Sequence, residues 1–227
     1  IENELNTQFN TRKQLVLKTM YAYIDRRGSL YDTECLSLFG TNSFNLVWDK
    51  ICAEIMDNQL DVPLGILKLP VPLKEDYNRR QKLIELIEKP LWTITGKCAK
   101  DTLIPDLVSI CKVNDQHQFI IFDAKYYNAH LEKGIVPTGQ PGIESITKQY
   151  LYQLAYQQFI EDHNFSSVKN CFLLPTENNE IEDKGEVRME MLSNLGLQDI
   201  KIRLIPATMA YDLYLSGSKM DMERLDL

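Results

Sequence analysis

Residues 102–127 read TLIPDLVSICKVNDQHQFIIFDAKYY, a pattern that predicts two apolar β-strands joined by a polar turn. Charged side chains interrupt the pattern at the strand ends, with Asp106 starting the first strand and Asp123 and Lys125 ending the second. Buried strands rarely carry charged residues unless these are paired. The charges therefore mark one end of the hairpin as a candidate site.

The turn signal at Asn114-Asp115 predicts how the two strands pair. Opposed residues of an antiparallel pair have position numbers with a constant sum, and a turn centred between 114 and 115 gives 229. Positions 106 and 123 give the same sum, so we expect Asp106 directly opposite Asp123, with Cβ atoms about 4.5–5.5 Å apart. Side chains alternate along a strand, which places Lys125 on the same face as Asp123.

Both faces of the hairpin are apolar, which predicts two central strands with the charges at one end of a sheet. The face shared with the charged residues carries Val108, Ile110, Phe119 and Ile121, and the opposite face carries Leu107, Cys111, Ile120 and Phe122.

Two opposed carboxylates repel each other, which costs stability unless a cation lies between them. Mg²⁺ is the expected ion, with Mn²⁺ as a possible substitute, because Mg²⁺ binds one or two carboxylates together with water and substrate phosphate. Asp106 and Asp123 are the candidate metal ligands. Lys125 would stabilise negative charge or position an attacking water, which suits phosphodiester hydrolysis. The alternative is a salt-bridged strand end without metal.

The rest of the chain predicts one α/β domain with a mixed sheet of about five strands flanked by helices. Helical spacing appears in TNSFNLVWDKICAEIMDNQ, with Thr41 or Ser43 as its N-cap, in IESITKQYLYQLAYQQFIED and in TMAYDLYLSG. Further strands are predicted at VKNCFLLP, GEVRMEML and DIKIRLIPA. We divide the chain into a helical lead-in at 1–40, the domain at 41–217 and a C-terminal tail at 218–227.

Composition narrows the cellular setting. The net charge of −7 argues against a non-specific nucleic-acid coat, although charge can be local. Five cysteines without a CxxC pair, and three histidines without ligand spacing, argue against disulfides and structural zinc and favour the cytoplasm. No apolar run is long enough to span a bilayer. The sequence begins with Ile and not Met, so whether another segment precedes it is left open.

The quoted motifs resemble a known superfamily. IPD at 104–106 followed by FDAK at 122–125 resembles the PD-(D/E)XK nucleases. Together with GTNSFNLVWDKIC and PGIESITKQYLYQLAY, the chain looks most like the LlaJI-type restriction endonuclease family, whose nuclease chain resembles McrC, over roughly residues 10–215. The resemblance implies a restriction-endonuclease-like core and a Mg²⁺-dependent DNA endonuclease of a restriction-modification or modification-dependent system.

The same resemblance implies further site residues. The backbone carbonyl of Ala124 would be a metal ligand, and Asp49 would be the acidic residue of the first motif helix. Family members mostly carry Glu at that position, so direct contact between the shorter Asp49 and the metal is left open, and Glu54 is the geometric alternative. Gln149 is the candidate catalytic glutamine, although the helix lacks a strict Gln-x-x-x-Tyr.

Helical spacing puts Gln149, Gln153 and Tyr156 on one stripe, which is also typical of the polar border of an amphipathic helix. Our candidate DNA-binding residues are Lys97, Lys100, Lys148 and Gln153.

Partners follow from the resemblance as well. The resemblance implies double-stranded DNA as substrate and a McrB-like NTPase as partner subunit. This sequence has no GxxxxGK[ST] nucleotide-binding loop, so no nucleotide site is expected in it. Whether the chain forms a homodimer is left open, and no interaction with a membrane is expected. Two alternatives remain: a repair or recombination nuclease with structure specificity, and a non-enzymatic interaction module on a nuclease fold.

Overall fold

A computed structural model describes residues 43–227. The predicted helical lead-in at 1–40 and the alternative N-cap Thr41 lie outside the described residues. The first described helix begins after Ser43, one of the two predicted N-caps.

The described part of the chain contains three α-helices and seven β-strands. The α-helices are α1 (Phe44–Ile55), α2 (Ile143–Asp162) and α3 (Ala207–Ser216). The strands are β1 (Leu91–Trp92), β2 (Lys97–Cys98), β3 (Leu107–Val113), β4 (Gln116–Ala124), β5 (Ser167–Thr176), β6 (Glu182–Val187) and β7 (Ile200–Pro206). Short 3-10 helices lie at Leu64–Ile66, Leu83–Leu86, Glu190–Leu195 and Met222–Leu225.

Five strands form one mixed sheet in the order β3-β4-β5-β7-β6. The three inner strands run parallel to one another, and β3 and β6 pair antiparallel at the two edges. Strands β1 and β2 form a separate two-stranded hairpin. The predicted α/β class, with a five-stranded mixed sheet flanked by helices, is confirmed. This architecture is compatible with a restriction-endonuclease-like core.

The register of the β3-β4 hairpin is the predicted one. Leu107 lies opposite Phe122, and the pairing continues to Val113 opposite Gln116. Asn114 and Asp115 form the two-residue turn with φ angles of 48° and 63°, a conformation that Asn and Asp tolerate better than most residues. Asp106 directly precedes the first paired residue, so the same register aligns it with Asp123.

One prediction about this hairpin is wrong, because β3 is an edge strand and only β4 is central. The outer edge of β3 is covered by the chain after α1. There, Gln59 donates its backbone N–H to the Val108 carbonyl at 2.8 Å, and Val108 donates to Oδ1 of Asn58 at 3.0 Å. A covered edge needs apolar residues on both faces, so its sequence resembles that of a central strand.

Helices pack on both faces of the sheet. Helices α1 and α3 cover the face that carries Leu107, Ile120, Phe122 and Leu173. Helix α2, together with the irregular segment around Leu60 to Ile87, covers the face with Val108, Ile110, Phe119 and Ile121. Both apolar faces of the hairpin are therefore buried as the alternation predicted. None of the helices in the described range is long and apolar enough to cross a membrane.

The last ten residues, suggested as a tail by the sequence, contribute to the core. Met220 and Leu225 are buried in the cluster beneath α1 and α3. Arg203 of β7 is buried as well, and its guanidinium donates to the carbonyls of Leu225 and Asp226. These bonds hold the C-terminal segment against the sheet.

Candidate active site

Asp106, Asp123 and Lys125 converge at the end of the hairpin remote from its turn. Nζ of Lys125 lies 2.8 Å from Oδ2 of Asp123 and 3.9 Å from Oδ2 of Asp106. The backbone N–H of Ala124 donates to Oδ2 of Asp106 at 2.9 Å, which fixes that carboxylate above the end of β4. The side chain of Asp123 is only 7% exposed, so most of this charge is buried.

Burial and repulsion change the ionisation of the pair. Burial, followed by the charge of Asp106 and a hydrogen bond to it, raises the pKa of Asp123 to about 7, although Lys125 opposes this shift. Burial lowers the pKa of Lys125, but its contacts with Asp123 and Asp106 outweigh burial and raise that pKa overall. Lys125 is therefore a permanent cation near neutral pH.

Asp49 shares this electrostatic environment. Its neighbour Trp48 donates its indole N–H to the Leu173 carbonyl at 3.2 Å, and the same carbonyl accepts the backbone N–H of Lys125 at 2.9 Å. This shared acceptor anchors α1 beside the end of β4. Burial, then the charge of Asp106, raises the pKa of Asp49 to about 6, against a smaller opposing effect of Lys125.

Glu54, the geometric alternative to Asp49, faces a different part of the surface. Its carboxylate accepts from Nζ of Lys219 at 2.9 Å, and this interaction lowers the pKa of Glu54. The structure thus places Asp49, and not Glu54, within the electrostatic reach of Asp106.

The donor set fits a hard divalent cation with few protein ligands. Oδ2 of Asp123 is buried and receives no well-directed hydrogen bond from the described residues, although Lys125 lies close to it. Within residues 43–227, no group of three or more His, Cys, Asp or Glu side chains is arranged to hold a metal. Two carboxylates and the predicted Ala124 carbonyl, completed by water, match the preference of Mg²⁺ for oxygen ligands.

The predicted glutamines lie beneath the site. Gln149 is fully buried, and its Nε2 donates to the Ile121 carbonyl of β4 at 2.7 Å. Gln153 is also buried, and its Oε1 accepts from Nδ2 of Asn170 at 2.6 Å and from the backbone of Gln198 at 3.0 Å. These bonds fasten α2 to the sheet, so the placement of Gln153 gives no support to its predicted contact with DNA.

The predicted DNA-binding lysines lie at the surface in two separate elements. Lys148 on α2 pairs with Glu144 one turn earlier, at 2.5 Å. Lys97 and Lys100 are exposed on or beside the β1-β2 hairpin.

Sequence reasoning missed Tyr152. This residue is buried on α2, and its hydroxyl donates to the Ile104 carbonyl at 2.9 Å, two residues before Asp106. Burial raises the pKa of Tyr152, and the charges of Asp123 and Asp106 raise it further. The only sequence signal is its spacing of three residues from Gln149, which alone does not separate it from the apolar stripe.

For the DNA cleavage that the sequence predicts, we expect Tyr152→Phe to lower the rate about fivefold with little loss of stability, since one hydrogen bond of about 1 kcal/mol is removed while the ring keeps its packing. Single-turnover cleavage and thermal unfolding measure the two effects. Tyr214→Phe on α3, a partly exposed tyrosine, is the matched control. Equal rates for Tyr152→Phe and the unaltered protein would contradict a positioning role.

The mixed sheet covered by helices, with a lysine and two carboxylates at the end of an antiparallel hairpin, is compatible with a restriction-endonuclease-like core. The comparison with known families agrees, since residues 1–211 match the LlaJI restriction endonuclease family. The chain therefore belongs to that family.

One curated relative supports the assignment. The chain is 27% identical over 232 aligned residues to the type II restriction enzyme BsuMI component YdjA of Bacillus subtilis strain 168. The alignment covers 99% of this chain but 44% of the relative, so the chain spans less than half the length of that protein. No solved structure shows significant similarity.

Proposed function

We propose that this chain is the Mg²⁺-dependent nuclease part of a restriction system and hydrolyses phosphodiester bonds in double-stranded DNA. The observation that carries the proposal is the convergence of Asp106, Asp123 and Lys125 at one end of the sheet, in a member of a restriction endonuclease family. Asp123 is buried beside a like charge, and its pKa stays raised although Lys125 lies close to it, an arrangement that is typical of active sites.

Asp106, Asp123 and the Ala124 carbonyl would hold the ion. Bound Mg²⁺ would supply Lewis-acid stabilisation of phosphoryl oxygens and a more acidic water. The bond from the Ala124 N–H keeps Asp106 oriented before any ion binds, so little reorganisation is needed.

Lys125 and Asp49 take different roles in this proposal. Lys125 remains protonated, so it stabilises negative charge on the phosphate and orients the attacking water instead of removing its proton. Asp49, with a pKa of about 6, is ionised at pH 8 and is a suitable acceptor for that proton.

The direct test is cleavage of supercoiled plasmid DNA by the purified chain, with and without its partner subunit. We expect nicked or linear products with Mg²⁺, and none with excess EDTA. Plasmids with and without methylation separate restriction from a structure-specific repair activity. Absence of Mg²⁺-dependent cleavage under both conditions would contradict the proposal and favour the interaction module.

We expect Asp49→Ala to lower the cleavage rate by about 10²-fold, a typical contribution of a positioned acid or base, whereas Glu54→Ala leaves it nearly unchanged. The pair is matched, because both acids lie on α1 five positions apart. Single-turnover rates measured at pH 8 check this prediction. The reverse order of effects would assign the acidic role to Glu54.

We also propose a GTP-hydrolysing, McrB-like partner that supplies DNA recognition. The sequence is acidic and contains no phosphate-binding loop motif, and the matched relative is named as a component of its enzyme. Tight, sequence-specific binding by the purified chain alone at physiological salt would contradict this part of the proposal.

A further inference from the structure

Strands β1 and β2 form a small hairpin that the catalytic proposal does not use. Leu91 pairs with Cys98 and Trp92 with Lys97, and residues 93–96 close the turn. The hydrogen bonds found for residues 91–99 stay within the hairpin and its base. None of these bonds ties the hairpin to the five-stranded sheet.

The hairpin exposes large apolar side chains, which are normally buried in a folded protein. Ile94 at the turn is 95% exposed, and Trp92 is 63% exposed. Leu91 is exposed as well. A two-stranded hairpin by itself is only marginally stable, so these side chains do not form a core of their own. Large apolar side chains that are exposed together are typical of a binding surface.

The charge around these apolar groups is positive, although the whole chain carries −7. Residues 89–100 contain three lysines, at 89, 97 and 100, while the acidic residues Glu88 and Asp101 lie at the base of the hairpin, away from its tip. Apolar side chains flanked by lysines match the chemistry of duplex DNA, because the lysines can contact phosphates while an aromatic ring or an aliphatic wedge enters between base pairs. An acidic protein surface would contact only the lysines, and a purely apolar one would contact only the apolar side chains.

The hairpin is also fixed close to the candidate active site. The hydroxyl of Thr102 donates to the Glu88 carbonyl at 2.6 Å and closes the hairpin base. Only three residues separate Thr102 from Asp106. The base of the hairpin therefore lies at most about 14 Å from Asp106, or roughly four nucleotide steps of 3.4 Å. One DNA duplex can therefore contact both elements.

We propose that the β1-β2 hairpin is a DNA-distorting element, in which Trp92 and Ile94 insert into the duplex and Lys97 binds a flanking phosphate. This inference rests on the proposed action on double-stranded DNA. It adds a distortion of the substrate near the cleaved bond that the catalytic residues alone do not provide.

Tryptophan fluorescence tests the contact in the unaltered chain. The sequence has two tryptophans, and Trp48 is fully buried, so neutral acrylamide quenches mainly Trp92. We expect saturating duplex DNA, at low salt in EDTA, to protect Trp92 from acrylamide. A 2-aminopurine base in the duplex should brighten as it is unstacked. Unchanged quenching of Trp92, or no binding at all, would overturn the proposal.

Variants test the energetics. We expect the double variant Trp92→Ala, Ile94→Ala to weaken duplex binding by about 10-fold or more, because stacking on one base is worth roughly 1–3 kcal/mol. Leu215→Ala, an equally exposed apolar residue on α3, is the control. Lys97→Gln should reduce the slope of log K against log salt by about 0.9, and the exposed Lys68→Gln should not.

The outcomes separate this inference from the nuclease proposal. The binding assays contain no metal and no cleavage step, so a failed nuclease proposal leaves them readable. If the double variant binds and cleaves DNA like the unaltered chain, the hairpin proposal is wrong and the nuclease proposal stands. If the double variant no longer binds the partner subunit but still binds DNA, the hairpin is a protein-binding element, and this result would also overturn the proposal.

Discussion

Asp123→Asn is expected to abolish DNA cleavage and, in metal-free buffer at pH 8, to stabilise the fold. The cleavage defect follows because a neutral amide is a poor Mg²⁺ ligand. The stability gain follows because the carboxylate of Asp123 is buried beside Asp106, which raises its pKa to about 7. Asn keeps the shape of the side chain and cannot become charged.

The pH dependence has a definite sign. Since the folded protein holds the Asp123 proton more tightly than the unfolded chain, stability is greatest below the unfolded pKa of about 4 and falls as the pH rises through about 7. The loss at pH 8 is at most about 4 kcal/mol, because the pKa rises by about three units and one unit corresponds to 1.36 kcal/mol. The advantage of Asp123→Asn should therefore vanish near pH 4.

Thermal unfolding at the two pH values, with EDTA, measures this effect alongside plasmid cleavage with Mg²⁺. A gain of about 2 kcal/mol would raise Tm by roughly 4–8 °C for a domain of this size. Asp115→Asn in the hairpin turn is the matched control, since Asp115 is fully exposed and Asn tolerates its positive φ. Normal cleavage by Asp123→Asn would remove the basis of the proposed active site.

Lys125→Met is expected to slow cleavage by about 10³-fold while metal binding is retained or strengthened. The substitution keeps an apolar stem of similar length but removes the cation 2.8 Å from Asp123. Without that cation the two carboxylates repel each other more strongly, so a divalent ion becomes a more favourable neighbour. Because Lys125 is protonated throughout the neutral range, the defect should not be rescued by raising the pH.

Single-turnover cleavage and calorimetric titration with Mg²⁺ or Mn²⁺ separate the two effects. Lys112→Met is the matched control at the opposite end of the same hairpin, where the lysine forms an exposed ion pair with Asp115. Parallel loss of metal binding and cleavage would make Lys125 a structural residue. A rate within about threefold of that of the unaltered chain would exclude a catalytic role, because it corresponds to a change of less than about 1 kcal/mol in the activation free energy.

The parts of the fold predicted most closely were those determined by local rules. The turn residues Asn114 and Asp115, with strict alternation on either side, were sufficient to give the hairpin register. Helix α2 begins and ends at the predicted residues because a Gly-Pro-rich loop precedes it and neither Gly nor Pro interrupts its 20 residues. The convergence of Asp106, Asp123 and Lys125 follows from the same two periodicities.

Tertiary partners decided what the sequence left open or predicted wrongly. The outer edge of β3 is covered by Asn58 and Gln59, which lie about 50 residues away in the chain, so local patterns could not distinguish it from a central strand. The burial of Gln149 and Gln153 depends on carbonyl and amide groups of β4, β5 and the segment before β7. A polar stripe on a helix has the same period whether it faces water or a polar pocket in the interior.

The two-residue turn at Asn114-Asp115 lies seven residue pairs from the carboxylates, roughly 24 Å along the strands. Surface turns ordinarily tolerate changes in length, but this one sets the alignment of the two aspartates. One inserted residue would shift the pairing and turn one aspartate to the opposite face of the sheet. A length change in this exposed turn would thus be as damaging to catalysis as the loss of a carboxylate, without altering any residue near the DNA.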